Sequence, residues 1–104
     1  MRKARVYVDK VPAGLLVEEV FNKRYQFIYH PEYEGSPVSL SMPVEGQAYE
    51  YGHFPPFFDG LLPEGIQLDG LLKQRKLDGD DYFAQLMAVG SDLVGVVTVE
   101  EEIL

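Results

Sequence analysis

The chain contains no cysteine, which removes disulfide frameworks, thiolate zinc sites and cysteine nucleophiles from consideration. Positive charge is scarce: 9 Lys and Arg stand against 17 Asp and Glu, for a formal net charge of -8. A nucleic-acid binder needs a positive surface to displace counterions from phosphates, so DNA or RNA is disfavoured as a direct partner. No apolar run approaches the roughly 18 residues that would cross a bilayer. The basic start, Met1-Arg2-Lys3-Ala4-Arg5, is not followed by a continuous apolar stretch, which argues against a secretory signal. The expected compartment is the cytoplasm. Histidine is rare as well. His30 and His53 are the only two, and neither has another histidine one helical turn away, so neither points to a metal site.

What is present suits a packed domain. The 104 residues are 46% hydrophobic and include 7 Tyr and 6 Phe, enough to fill one core, so a single domain over residues 1–104 is expected. Charge is unevenly distributed. Residues 1–30 carry 6 basic and 3 acidic side chains, whereas residues 31–104 carry 3 basic and 14 acidic. Such an acidic region serves solubility, and it can also steer a protein toward a basic cleft on a partner.

Ala4 to Asp9 is β-branched and aromatic and reads as a strand. Pro12 and Gly14 mark a turn over Lys10–Gly14, and Leu15 to Phe21 a second strand. Asn22-Lys23 suits a hairpin turn. Arg24 to His30 alternates, with Tyr25, Phe27 and Tyr29 on one face, which is the two-residue period of a third strand. These segments predict an antiparallel meander. Val38 to Met42 has the character of a short strand stopped by Pro43, and Val44 to Pro56 that of an ordered irregular excursion anchored by its aromatics.

Phe57 to Leu62 can begin a helix, which Pro63-Glu64-Gly65 interrupts. Ile66, Leu68, Leu71 and Leu72 then recur at helical spacing. Asp80 or Asp81 is placed to cap a further helix, with Tyr82, Phe83, Leu86 and Met87 on its apolar face and Gly90 as a left-handed C-cap. Leu93 to Val99 is nearly all apolar, as expected of a strand buried on both faces. Setting this strand beside an early one gives an α+β fold: a single, mostly antiparallel sheet with two main helices packed on one face.

The residues offer little catalytic chemistry. Gly90 and Gly95 have phosphate-loop spacing, but Val96-Val97 stand where Lys and Ser or Thr should follow. Asp78, Asp80 and Asp81 resemble the opening of a calcium loop, but Val89 occupies the position of its closing glutamate. Ser36, Ser39, Ser41 and Ser91 lack a nucleophile-elbow context. Asp59 and Glu64 are separated by a segment that Pro63 breaks, so they share no fixed face. No catalytic, cofactor-binding or metal-binding residue is assigned, and no enzymatic activity is expected.

One segment stands apart: Phe54-Pro55-Pro56-Phe57-Phe58-Asp59-Gly60-Leu61-Leu62-Pro63-Glu64-Gly65-Ile66. Phe57, Phe58, Leu61 and Leu62 are expected to enter the core. Pro63-Glu64-Gly65 makes a sharp corner, because proline fixes one torsion and glycine admits unusual ones. Ile66 follows at once, either as a core residue or as an apolar side chain carried on a stiff protrusion. A preorganised apolar tip is the kind of feature that anchors a protein interface. The candidate partner-binding residues are therefore Asp59, Leu62, Pro63, Glu64, Gly65 and Ile66.

The chain resembles the N-terminal subdomain of HipA-type kinases. The likeness is carried by Val6-Tyr7-Val8 with the later Gly14, and by Tyr25-Gln26-Phe27-Ile28-Tyr29. It continues through Pro37-Val38-Ser39-Leu40-Ser41-Met42-Pro43 and Phe57-Phe58-Asp59-Gly60-Leu61-Leu62-Pro63-Glu64-Gly65. It ends with Asp81-Tyr82-Phe83-Ala84 and Ala88-Val89-Gly90-Ser91-Asp92-Leu93-Val94-Gly95. A HipA-type toxin continues into a kinase core. This sequence stops at Leu104, with no catalytic aspartate or magnesium-binding motif, so phosphate transfer by the chain itself is not expected.

A free-standing chain of this kind resembles the small member of three-gene HipBST toxin–antitoxin systems. The resemblance implies a cytoplasmic antitoxin that binds and neutralises a HipT-like serine/threonine kinase toxin, with a HipB-like helix-turn-helix protein as the further partner of a ternary complex. The alternative it implies is a structural subunit that completes or activates the kinase core. Related chains often carry a large aromatic such as Trp after Pro-Glu-Gly. Here the position is Ile66, and the chain has no Trp.

Overall fold

Alternating buried and more exposed side chains mark β1 (Arg2–Val8) and β3 (Arg24–Tyr29), and the largely apolar β2 (Val11–Val20) lies between them. The computed structural model describes residues 1–93 and 95–102. Val94, within the apolar stretch expected to form the last strand, lies outside the described residues. Two further strands, β4 (Ala48–Tyr51) and β5 (Val97–Glu101), complete an antiparallel sheet in the order β4-β3-β2-β1-β5. The helices are α1 (Pro56–Asp59), α2 (Gly65–Arg75) and α3 (Tyr82–Val89). The fold is thus the expected α+β arrangement, with the last strand beside the first.

Several local expectations are corrected. The β1–β2 turn is Asp9-Lys10 rather than Lys10–Gly14. Both residues hold positive φ, 53° and 67°, as a two-residue hairpin of this hand requires. Pro12 lies inside β2 opposite Tyr7, where the β1–β2 register shifts; such an irregularity tolerates a residue without an N–H. The β2–β3 turn is centred on Asn22 (φ 55°), and Lys23 N–H donates to the Val20 carbonyl at 3.0 Å.

Val38–Met42 does not form a strand. Its only pairing is a bridge between Ser39 and Met42, because the chain turns there and Met42 N–H donates to the Ser39 carbonyl at 3.0 Å. The following excursion is ordered, but it contains β4. Its tyrosines Tyr49 and Tyr51 face Phe27 and Tyr25 across the β3 pairing.

Gly90 is not left-handed. It has φ -58° and ψ -32°, and it is buried where a Cβ would overlap the Val99 carbonyl, so close approach to β5 accounts for glycine there. The left-handed C-cap belongs to Lys76, whose N–H reaches the Leu72 carbonyl at the end of α2. The last strand starts later than expected and is an edge strand. Val97 and Val99 are buried, whereas Glu100 and Glu101 are exposed.

The core lies between one sheet face and the helical layer. Ala4, Val6, Leu16, Tyr25 and Phe27 from the sheet meet Phe54, Phe58, Phe83 and Leu86. Aromatic rings join the layers. Tyr25 meets Phe54 edge-on at 5.3 Å, Phe27 meets Phe58 at 5.9 Å, and Phe54 meets Tyr82 at 5.8 Å, in the range where such pairs are attractive. Asp81 caps α3 as expected, accepting from Ala84 N–H at 3.1 Å. The two main helices are not equivalent. α3 buries Phe83, Gln85 and Leu86, while α2 has no fully buried residue and rests against α3.

At one end of the sheet a charged cluster ties these layers together. The Arg2 guanidinium donates to Glu18 at 2.7 Å and to Asp81 at 2.8 Å, and it lies 4.9 Å from the centre of the Phe83 ring. The Tyr25 hydroxyl donates to the other Glu18 oxygen at 3.0 Å. Burial works against the Arg2 charge, but the hydrogen bonds and charges of Glu18 and Asp81 outweigh it and raise its pKa. Burial, and then the bond to Glu18, push the Tyr25 phenol up.

Candidate partner-binding site

The proline- and glycine-rich segment is built outward from the core. Pro56 occupies the first turn of α1, where a missing N–H is harmless. This short helix drives Phe58 into the core at 0% exposure. Phe57, Leu61 and Leu62 are partly buried against the same core. Leu61 N–H donates to the Phe58 carbonyl and Leu62 N–H to the Asp59 carbonyl, each at 3.1 Å, so the chain stays tightly wound up to Pro63. Asp59 is exposed at the end of α1.

Beyond Pro63 the direction changes. Glu64 is extended (φ -129°, ψ 163°) and precedes α2 without a side-chain cap hydrogen bond. Gly65 has φ +58° and no neighbour within 4 Å of the position a Cβ would take. Conformation, rather than crowding, is therefore what calls for glycine. Ile66 follows and is 89% exposed.

Of the two placements open for Ile66 in the sequence, the structure adopts the protruding one. A full isoleucine side chain stands in water on a corner whose base is locked by Phe58. Isolated exposed apolar residues are common, but this one is carried by a sharp turn, with half-buried Leu62 and Pro63 just before it. The six candidate residues thus fall within one short segment, Asp59 at the exposed end of α1 and Leu62 to Ile66 running into the first turn of α2. The arrangement offers an apolar contact with one carboxylate, Asp59, before the corner and another, Glu64, within it.

A second exposed apolar residue was not singled out in the sequence. Leu40, flanked by Ser39 and Ser41 and bracketed by Pro37 and Pro43, is 94% exposed. Its bracketing prolines were the available signal, but alternation with serine resembles a strand more than a tip. The loop is pinned from behind: Tyr29 hydroxyl accepts from Val38 N–H at 2.8 Å and donates to the Met42 carbonyl. Among the described residues no helix is long and apolar enough to cross a membrane.

The fold agrees with comparisons to known proteins. The family model for the HipA N-terminal domain matches residues 4–100. A solved structure of the N-terminal domain of HipA toxin superposes with a TM-score of 0.78 at 29% identity, covering 99% of this chain and 94% of that one. An uncharacterised protein of Haemophilus influenzae is 31% identical over 102 residues, covering 98% of this chain and 94% of that protein. The chain belongs to the HipA N-terminal domain family. These likenesses support a HipA-related toxin–antitoxin component and, within that class, a HipS-like protein.

Proposed function

We propose that the chain is a cytoplasmic antitoxin subunit that binds a HipT-like serine/threonine kinase toxin and neutralises it by contact, without catalysis of its own. It docks where the corresponding domain sits on HipA, and the corner at Gly65-Ile66 enters or obstructs the nucleotide cleft. A HipB-like helix-turn-helix protein joins as the third component. The observation that carries this reading is Ile66, exposed at 89% on a corner anchored by the fully buried Phe58. A large apolar side chain already standing in water can be buried by a partner without first being withdrawn from the core.

The test is inhibition of the kinase by wild-type protein and by Ile66→Asp. Because Ile66 makes no buried contact, the variant keeps its fold. Losing an anchor of this kind costs about 2 kcal/mol of binding, roughly 30-fold in affinity. Equal inhibition by the variant removes the corner from the mechanism.

A second reading is favoured by the structural likeness itself, since the solved relative is a domain of a HipA toxin. In that reading the chain completes and activates the kinase core in trans. Autophosphorylation measured with and without the chain separates the two: falling activity supports inhibition, rising activity supports completion.

A further inference from the structure

Away from the corner, the β1–β2 turn and the loop after β3 enclose a cleft of about 560 Å³. Val8 and Tyr33 form buried parts of its lining, and Val11 stands at its edge, 52% exposed. The carboxylates of Asp9, Glu32 and Glu34 line it as well. A second cleft of about 450 Å³ shares Tyr33, Glu34 and Gly35 with the first and adds the exposed Leu40 and the carboxylate of Glu45.

No Lys or Arg lines either cleft. Lys10, in the same turn as Asp9, lines a different cleft with Tyr7 and Thr98. Two other clefts mix both signs: Lys23 and Arg24 accompany Glu19 and Glu50 in one, and Arg2 and Arg75 accompany Glu101 in another. Among the described residues, none of Asp9, Glu32, Glu34 and Glu45 is in an ion pair. The described carboxylates also form no cluster able to hold a metal ion, so a compact cation is a poor fit.

The walls are preformed. Asp9 is fixed in a left-handed conformation, and its N–H donates to the Val96 carbonyl at 2.8 Å. Tyr33 is 7% exposed, stacks on Tyr29 at 5.9 Å and donates to the Ser36 carbonyl at 2.6 Å. Gly35 leaves room for that ring, since a Cβ there would overlap it. Burial, and then the nearby Asp9 carboxylate, raise the Tyr33 pKa.

An apolar groove rimmed by Asp9, Glu32, Glu34 and Glu45 together with His30, and by no Lys or Arg, is complementary to a long side chain that is apolar along its stem and cationic at its end. We infer that the adjoining clefts receive a basic segment of a partner protein. An Arg or Lys lies along Val8, Val11 and Tyr33 with its charge among Asp9, Glu32 and Glu34, and a neighbouring apolar side chain packs beside Leu40. This contact is separate from the corner. Its assignment to the kinase rests on the antitoxin reading.

Two measurements test it with the full chain. In the first, acetyl-Leu-Arg-Arg-Leu-amide is titrated against labelled protein, with acetyl-Leu-Glu-Glu-Leu-amide as control. The basic peptide should shift the amide resonances of Val11, Glu32 and Tyr33, and the shifts should vanish in a Glu32→Lys, Glu34→Lys double variant. Both residues are exposed, so the variant should keep the wild-type circular dichroism. In the second, the double variant should bind an inactive HipT-like kinase about tenfold more weakly or worse, with less dependence on salt.

Absence of peptide shifts overturns the inference whatever the kinase does. Kinase binding by the double variant as tight as wild type overturns it too, while leaving the antitoxin reading intact. Peptide shifts in a protein that does not bind the kinase support the basic-segment site and sink the antitoxin reading instead.

Discussion

Replacing Glu18 by Ala tests whether the Arg2 cluster holds α3 on the sheet. Glu18 is 4% exposed, and its two oxygens accept from Arg2 at 2.7 Å and from the Tyr25 hydroxyl at 3.0 Å. Removing one member of a buried ion pair costs about 3–5 kcal/mol, because the other charge is left without compensation. Here the loss is smaller for two reasons. Arg2 keeps Asp81 at 2.8 Å and its side chain is 32% exposed. Tyr25 keeps Asn22 at 3.0 Å. About 2–3 kcal/mol is therefore expected for Glu18→Ala, a large share of the roughly 5–15 kcal/mol that holds a domain folded.

The internal control is Glu100→Ala. It breaks the Arg5–Glu100 pair at 3.1 Å, whose side chains are 44% and 62% exposed, and should cost under about 0.5 kcal/mol. Urea unfolding followed by circular dichroism reads both. With a slope of about 1–3 kcal/mol per molar for a small protein, Glu18→Ala should lower the midpoint by about 1 M or more. If the two variants unfold at the same midpoint, the cluster is surface decoration and α3 is held by Phe83 and Leu86 alone.

Glycines give two contrasts. Gly65 and Gly70 both face open space, but only Gly65 has positive φ; Gly65→Ala should destabilise by about 1 kcal/mol and Gly70→Ala should stabilise by about 0.5–1 kcal/mol in the same unfolding assay. Gly14→Ala should cost about 3 kcal/mol or more, because its Cβ would overlap the Ile28 carbonyl and separate β2 from β3. At high pH the tyrosines decide stability. Burial raises the pKa of Tyr25, Tyr29, Tyr33 and Tyr51 above the ordinary 10.0. The unfolded chain then releases these protons first, so the tyrosines' contribution to stability is constant well below pH 10 and falls above it, by up to about 1.4 kcal/mol per pH unit for each such tyrosine. Tyrosinate absorbance in an alkaline titration should lag the free-tyrosine curve and catch up in step with loss of circular dichroism; an unshifted curve in folded protein refutes the burial argument.

Periodicity made the meander legible, because Tyr25, Phe27 and Tyr29 on one face leave little choice about which side of β3 is buried. It could not reveal β4. Four residues, Ala48 to Tyr51, contain only two alternations, and the strand exists because Tyr49 and Tyr51 find Phe27 and Tyr25 opposite. The same dependence on partners explains Gly90. A glycine after a helix ordinarily marks a left-handed cap, and only the adjacent β5 backbone makes close approach the operative reason. For β5, an apolar run suggested burial on both faces. As an edge strand beside β1 it covers one face with Val97 and Val99, and turns Glu100 toward Arg5.

The corner was legible for a different reason: its chemistry is local. Pro63 and Gly65 dictate a change of direction whatever surrounds them, and Phe57 and Phe58 supply an apolar base. What the sequence left open was the fate of Ile66, since helical spacing with Leu68, Leu71 and Leu72 made a core position equally reasonable. The choice follows from α2 as a whole. Its N-terminus is fixed by the corner, its apolar residues are at most half-buried against α3, and none enters the core. A helix held this lightly by its own packing is oriented mainly by the turn that precedes it. The stiffness that keeps Ile66 in water therefore originates in α1 and Phe58, so a Phe58→Ala variant should lose about 3–5 kcal/mol of stability and blunt the corner as well, whereas Ile66→Asp should touch binding alone. A kinase-binding defect in Ile66→Asp with wild-type unfolding would separate the tip from its support; a shared loss of stability in both would show that Ile66 belongs to the core after all.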